Sequence, residues 1–195
     1  DPLRRNAINK RIACLADADP VKKKNGRWRK CYPFELLSGS NDHKLISSGV
    51  DDLKARVSNN ISIFCNDNGS GKTLEFDLAF ANPECTLLLT PCLSGEYRGL
   101  LSELMSTYSQ CSFEQYKSLT HIDPDLLRLV DESAWNEDDK KRGLIASYYH
   151  QATSGVKGEH ALEVGHKLRE NCMATPVAPF SVPKNIKDAI AWLCE

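Results

Sequence analysis

The sequence predicts an α/β fold: a sheet of mainly parallel strands flanked by helices, with a helical insertion. Three observations lead there. Over the first 92 residues, short apolar runs that end in acids or amides alternate with segments of helical spacing. From about Leu93 to Ser154 helical spacing continues without a strand pattern, and after Lys157 two more helical segments follow. The expected organisation is therefore a core over 1–92, an insertion over 93–154, and helices over 155–195 that return to the core.

Arg11 to Ala16 reads as a short buried strand, and Asn60 to Cys65 as a second. Thr86 to Leu89 is the expected third. Between them, 50–57 is weakly helical, and Thr73 to Phe80 places Leu74, Leu78 and Ala81 on one face. A strand, helix, strand, helix, strand order implies crossover connections. Ligands then gather at the carboxyl ends of the strands, where Asp17, Asp19 and Asp67 fall. In the insertion, 96–108, 124–135 and 137–151 are helical, and the acids of Glu137-Asp138-Asp139 suit a helix start. Lys157 to Cys172 sets Ala161, Val164 and Leu168 on one side, and Pro183 opens a last helix to Cys194.

A hydrophobic fraction of 41% is enough for a packed core, and a net charge of −1 excludes a strongly basic DNA-coating protein. No apolar run reaches the roughly 18 residues of a membrane span, and the start, Asp1-Pro2-Leu3-Arg4-Arg5, lacks a signal-peptide core. The chain opens on Asp1 rather than Met, so a piece of a longer protein is expected. The eight cysteines form no C-x₂-C pair and several sit in apolar runs, which reads as buried free thiols in a cytoplasmic protein.

Chemistry concentrates in a few segments. Asp17-Ala18-Asp19 follows the first strand. If that strand persists, both carboxylates point the same way and repel, and a hard divalent cation relieves the repulsion. Two solvated acids opening a turn before Pro20 are the plainer alternative. Asn66-Asp67-Asn68-Gly69-Ser70-Gly71-Lys72-Thr73 approaches a phosphate-binding loop, but Asn66 stands where its first glycine belongs. Thr73 suits a helix cap and Glu75 a first turn, which would bring a third carboxylate near the strand ends. Lys22, Lys23, Lys24, Arg27, Arg29 and Lys30, with Trp28 among them, form a basic stretch suited to phosphate contacts or to a solvated loop. Lys157 lies between Gly155 and Gly158 at a helix entrance, where a phosphate can approach closely.

In order, D-x-D, T-L-E-x-D-L (Thr73 to Leu78), K-G-E (Lys157 to Glu159) and V-P-x-x-I-K-x-A-I-x-W (Val182 to Trp192) resemble the C-terminal Toprim region of OLD-family (overcoming lysogenization defect) ATP-dependent endonucleases. The likeness covers about 11–20, 61–92 and 155–194. It implies a Toprim-like fold and two-metal cleavage or nicking of DNA with Mg²⁺ or Mn²⁺. Asp17, Asp19, Thr73 and Glu75 match the family's metal-binding segments, with Asp67 a weaker match, and Lys157 matches a catalytic lysine beside Asp17. It also implies a glutamate on an earlier strand, ahead of Asp1, and an ATPase domain outside this chain through which alone ATP would act. Phage defence or DNA repair is the implied setting, and self-association is left open. Two rival expectations stand beside it: a Toprim-like module that binds nucleic acid or a partner without cutting, and a P-loop nucleotide-binding protein built on Gly69 to Thr73.

Overall fold

A computed structural model describes residues 10–37, 39–119, 121–175 and 177–194. The first nine residues of the expected 1–92 core and the terminal Glu195 lie outside the described residues.

The chain is mixed α/β. Strand β1 (Ile12–Leu15) pairs in parallel with β5 (Ile61–Phe64), Ile12 opposite Ile61 and Leu15 opposite Phe64. The parallel part of the sheet is limited to these two strands among the described residues. The expected third strand is instead a 3₁₀ turn, Thr86–Leu88, in which Leu88 is buried. A second sheet is antiparallel, in the order β3 (Arg27–Lys30), β2 (Val21–Lys24), β4 (His43–Lys44). The basic stretch is thus a hairpin rather than a flexible loop. Asn25 (φ 52°) and Gly26 (φ 76°) make its two-residue turn, the left-handed pair that an Asn-Gly connection supplies.

In sequence, helix α1 (Ser48–Lys54) lies between the two parallel strands and α2 (Leu74–Ala81) follows β5. Then come α3 (Gly95–Thr107), α4 (Phe113–Lys117), α5 (Pro124–Asp131), α6 (Glu137–Ala152), α7 (Lys157–Cys172) and α8 (Lys184–Cys194). Side-chain caps start four of them: Ser94, Ser112, Asp123 and Asn136 each accept from an amide of the first turn. Pro124 follows Asp123 at a position where its missing N–H costs nothing. Helix α5 stops at Asp131, short of the expected Trp135. Trp135 instead packs edge-on against Phe34 and Phe80, over Gly143 of α6. A Cβ at Gly143 would come within 2.8 Å of that indole, so the close crossing needs glycine.

The core forms around α6, where Leu144, Ile145 and Ala146 are fully buried, and Phe76 and Ala79 of α2 pack with it together with Leu101, Leu104 and Tyr116. One apolar cluster therefore joins residues on both sides of Leu93, and 93–154 packs with α2 rather than apart from it. The core face of α2 is Phe76 and Ala79 rather than the expected Leu74, Leu78 and Ala81; Leu74 is 44% exposed. On α7 the buried side is His160 and Val164, and Ala161 faces outward.

Helix α8 closes one face of the parallel pair. Trp192 lies against Phe64, and Arg11 stacks over the Trp192 ring and donates to its carbonyl at 2.7 Å. The other face, carrying Ile12 and Ile61, stays partly open, so β1 is not the buried strand expected. All eight cysteines are free; Cys31, Cys65 and Cys85 are buried as expected, but Cys14, Cys172 and Cys194 are exposed. Among the described residues, no helix is long and apolar enough to cross a membrane.

Candidate functional site

The site forms where the end of β1 meets the N-termini of α2 and α7. β1 ends at Leu15, so strand alternation does not carry through to the acids beyond it. Asp17 turns to α2, and its Oδ1 accepts from the Leu74 amide at 3.0 Å. Thr73 caps the same helix, its hydroxyl accepting from Phe76 N at 3.4 Å. Two of the amides a helix start leaves unpaired are thereby satisfied, one from within and one from 57 residues away. Asp19 adopts a left-handed backbone (φ 46°), tolerable for a short polar side chain, and its carboxylate takes the Lys30 ammonium at 2.9 Å. The two acids thus point to different partners, contrary to the parallel orientation expected of them.

Glu75 sits in the first turn of α2 and pairs with Lys157 at 3.0 Å. Its other oxygen, Oε2, is buried with no hydrogen-bond partner among the described residues. Burial pushes the Glu75 carboxyl up, but its own amide, Lys157 and the Thr73 hydroxyl together hold it below the usual range. Asp17 moves the opposite way. Burial raises it against the Leu74 amide, and the charges of Asp19 and Glu75 raise it further. The action of both charges on Asp17 marks Asp17, Asp19 and Glu75 as electrostatic neighbours, brought together from two segments.

Asp67 stands apart. Its carboxylate takes Lys54 at 2.6 Å, at the end of α1. The loop after it folds back sharply: Ser70 caps onto the Asn68 side chain, Gly69 has φ 91°, and a Cβ at Gly71 would lie 1.7 Å from Asn66 O. Lys72 is only 6% exposed. Its ammonium donates to Cys31 O at 3.0 Å and stands 4.9 Å from the Tyr32 ring centre, so it is committed to the interior.

Of the expected DNA contacts, Lys22 pairs with Glu35, Lys23 with Asp42 at 3.6 Å, and Lys30 with Asp19. Lys24, Arg27 and Arg29 line a cleft between the hairpin and α5.

Three buried groups near the site escaped the sequence reading. Asp77, 4% exposed, accepts from Lys72 N at 2.9 Å; burial above all, with the Asp17 and Glu75 charges added, pushes its carboxyl up to about 7. It lies inside T-L-E-x-D-L, so the signal was there: an acid two residues after Glu75 that cannot share its outward face. His150, in the last turn of α6, has a buried Nδ1 without a hydrogen-bond partner among the described residues; burial lowers its pKa, as do the nearby charges of Lys72 and Lys157. His160, 3% exposed, is held between the Tyr149 hydroxyl and Thr90 Oγ1. No local pattern marks a histidine whose partners are 11 and 70 residues away.

Chemically, the arrangement offers hard oxygen donors on one side and a half-exposed ammonium with two helix N-termini on the other, a combination suited to cations and phosphate together. Among the described residues, no three His, Cys, Asp or Glu side chains are gathered as a ready-made metal-ligand set. The chain matches no protein-family model, no curated protein and no solved structure.

Proposed function

We propose that this protein hydrolyses phosphodiester bonds of DNA at the Asp17, Asp19 and Glu75 face, with Mg²⁺ or Mn²⁺ and with Lys157, as the Toprim-like nuclease part of an OLD-type enzyme. The observation that carries the reading is the capture of the Leu74 amide by Asp17, which holds a strand-end carboxylate beside the Glu75–Lys157 pair.

The residues fit a hard divalent ion. The donors are carboxylates, Glu75 Oε2 is a buried oxygen without a partner among the described residues, and Asp17 carries its charge at a cost that a cation would relieve. Asp17, Asp19 and Glu75, with the Thr73 hydroxyl, would hold the ions, and bound ions supply Lewis acidity at the phosphate. Lys157 then counters negative charge building at phosphorus; its ammonium is half exposed, and Gly155 and Gly158 leave room for a phosphate beside it. ATP has no role at this site and belongs to a partner ATPase domain.

The deciding experiment is nicking of supercoiled plasmid in Mg²⁺ or Mn²⁺ by the wild type and by Asp17→Ala, with Mn²⁺ binding measured in parallel. Cleavage by the wild type, with loss of both cleavage and Mn²⁺ affinity in the variant, is expected. A variant that still nicks at the wild-type rate removes the assignment.

The Glu75–Lys157 pair also favours a second reading, since it occupies one oxygen a metal would use. In that reading the chain binds nucleic acid without cutting it, and the wild type leaves plasmid intact with either metal.

A further inference from the structure

The hairpin has two chemically different faces, and its register shows which is which. Cross-strand partners in an antiparallel pair point to the same side. Lys22 lies opposite Arg29, and Lys24 opposite Arg27. One face therefore carries four cations in two directly opposed like-charge pairs. The other carries Val21, Lys23, Trp28 and Lys30, and each of its polar members is answered by the protein: Lys23 by Asp42, Trp28 by Lys44 over its ring at 5.2 Å, and Lys30 by Asp19.

Like charges directly opposed across strands weaken a sheet. On the four-cation face, among the described residues, only Lys22 has an acid of its own, Glu35. That face forms one wall of a cleft of about 900 Å³, whose opposite wall is α5 with Arg128 and Asp125. Six cations line the cleft against two carboxylates, and Arg128 is already shared with Glu132 at 3.2 Å. Lys30 lines the cleft as well and bonds Asp19 at 2.9 Å, so the cleft leads to the carboxylate site. The four residues of each strand span about 13 Å at about 3.3 Å per residue, enough for several successive phosphates.

We infer that the cleft between the hairpin and α5 is the track for a DNA backbone, with Lys24, Arg27 and Arg29 as its phosphate contacts and Lys23 excluded from them. The inference rests on the reading of DNA as substrate and narrows it: half of the basic stretch meets the nucleic acid, and the other half holds the hairpin in place. With the backbone phosphates as the contacts, binding follows charge and is indifferent to sequence.

The test is fluorescence anisotropy of the full chain with a labelled 30-base-pair duplex in EDTA, across a salt titration. For duplex DNA, log K falls with log salt by about 0.9 for each phosphate contact. Arg27→Ala/Arg29→Ala lowers that slope by about two and weakens binding alike on unrelated sequences. Arg27→Lys/Arg29→Lys restores the slope, which a folding defect would not permit. Lys23→Ala leaves it unchanged.

An unchanged slope in the double alanine variant, or an equal loss in Lys23→Ala, overturns the inference. So does absence of binding by the wild type, or equal competition by vesicles of anionic phosphatidylserine. Because EDTA removes divalent ions, the outcome is independent of whether Asp17, Asp19 and Glu75 hold metal. A chain that binds DNA through Arg27 and Arg29 yet never nicks it keeps this inference and removes the nuclease reading.

Discussion

Asp17 Oδ1 accepts the backbone amide of Leu74 at 3.0 Å, so an acid at the end of β1 caps a helix that begins 57 residues later. That single bond gives Asp17 a structural and a chemical role, and two substitutions separate them. Asp17→Asn keeps an oxygen acceptor and is expected to hold wild-type stability. Asp17→Ala loses the cap and about 1 kcal/mol. Both remove the anionic donor and abolish nicking. Urea denaturation beside the plasmid assay checks this, and nicking that survives in Asp17→Asn would count against a metal role for the carboxylate.

The Glu75–Lys157 pair makes a pH-dependent contribution whose sign is fixed. The folded Glu75 carboxyl titrates below its ordinary value of 4.5, so the stability it adds is present above about that pH and is lost as pH falls through the folded value. Lys157 is 51% exposed, which screens the pair and limits its worth to about 1 kcal/mol. Lys157→Ala is therefore expected to destabilise by about that much at pH 7 and by progressively less as pH falls through the folded Glu75 value. If Lys157 counters charge in the reaction, nicking falls about 100-fold in the same variant. A wild-type nicking rate with the expected stability loss would leave the lysine a purely structural partner.

Asp77 works in the opposite direction. Its carboxyl is raised from 3.8 to about 7, so between those values the folded chain holds a proton that the unfolded chain has released. Stability then falls as pH rises through this window, by about 1.4 kcal/mol per unit and about 4 kcal/mol in all. His150 and His160, both lowered by burial, oppose it, because unfolding lets them take up protons as pH falls. The observable is accordingly a difference: Asp77→Asn, in EDTA, gains on the wild type as pH rises from 4 to 8. A difference that stays flat across that range would place the Asp77 titration elsewhere.

Much of this architecture was legible in the chain because its signals are local. The expected helices of 93–154 start on Ser, Asp or Asn caps, and the structure begins α7 at Lys157 and ends it at Cys172 as read. Thr86 to Leu89 failed because three leucines after a threonine fit a buried turn as well as a strand, and no periodicity separates the two. The hairpin was missed although Asn25-Gly26 marks it, since the lysines and arginines around it lack the apolar alternation that identifies strands. At the site, Asp17, Glu75 and Lys157 were readable as residues, but their pairing was not. A cap across 57 residues and an ion pair between two helix starts leave no trace in spacing.

Gly71 fixes the approach of Thr73 to that site. A Cβ there would meet the Asn66 carbonyl at 1.7 Å, so any side chain displaces backbone rather than a flexible neighbour. Gly71→Ala is expected to cost about 3 kcal/mol or more and to disturb the Thr73 cap. Gly69, four residues after Cys65, has φ 91° but open space around it; Gly69→Ala costs only the backbone strain, about 1 kcal/mol. Equal losses at the two positions would show that the loop rearranges freely.

His160 is a test of the interior without being part of the chemistry. It bonds Thr90 Oγ1 at 2.6 Å and the Tyr149 hydroxyl, and all three side chains are buried. Thr90 and the imidazole also approach Cys92 Sγ, at 3.1 Å and 3.6 Å, so one network ties α6 and α7 to the turn before α3. His160→Phe keeps a ring of similar size but leaves the buried Tyr149 hydroxyl without its histidine and Thr90 Oγ1 with only the weak Cys92 Sγ contact. An orphaned buried hydroxyl costs about 1–3 kcal/mol, so a loss of about 2 kcal/mol or more is expected in urea denaturation. Thr90→Val in the same background removes the poorly partnered hydroxyl and should recover part of that loss. If the double variant is no more stable than His160→Phe, the Thr90 hydroxyl finds another partner and the network is looser than its distances imply.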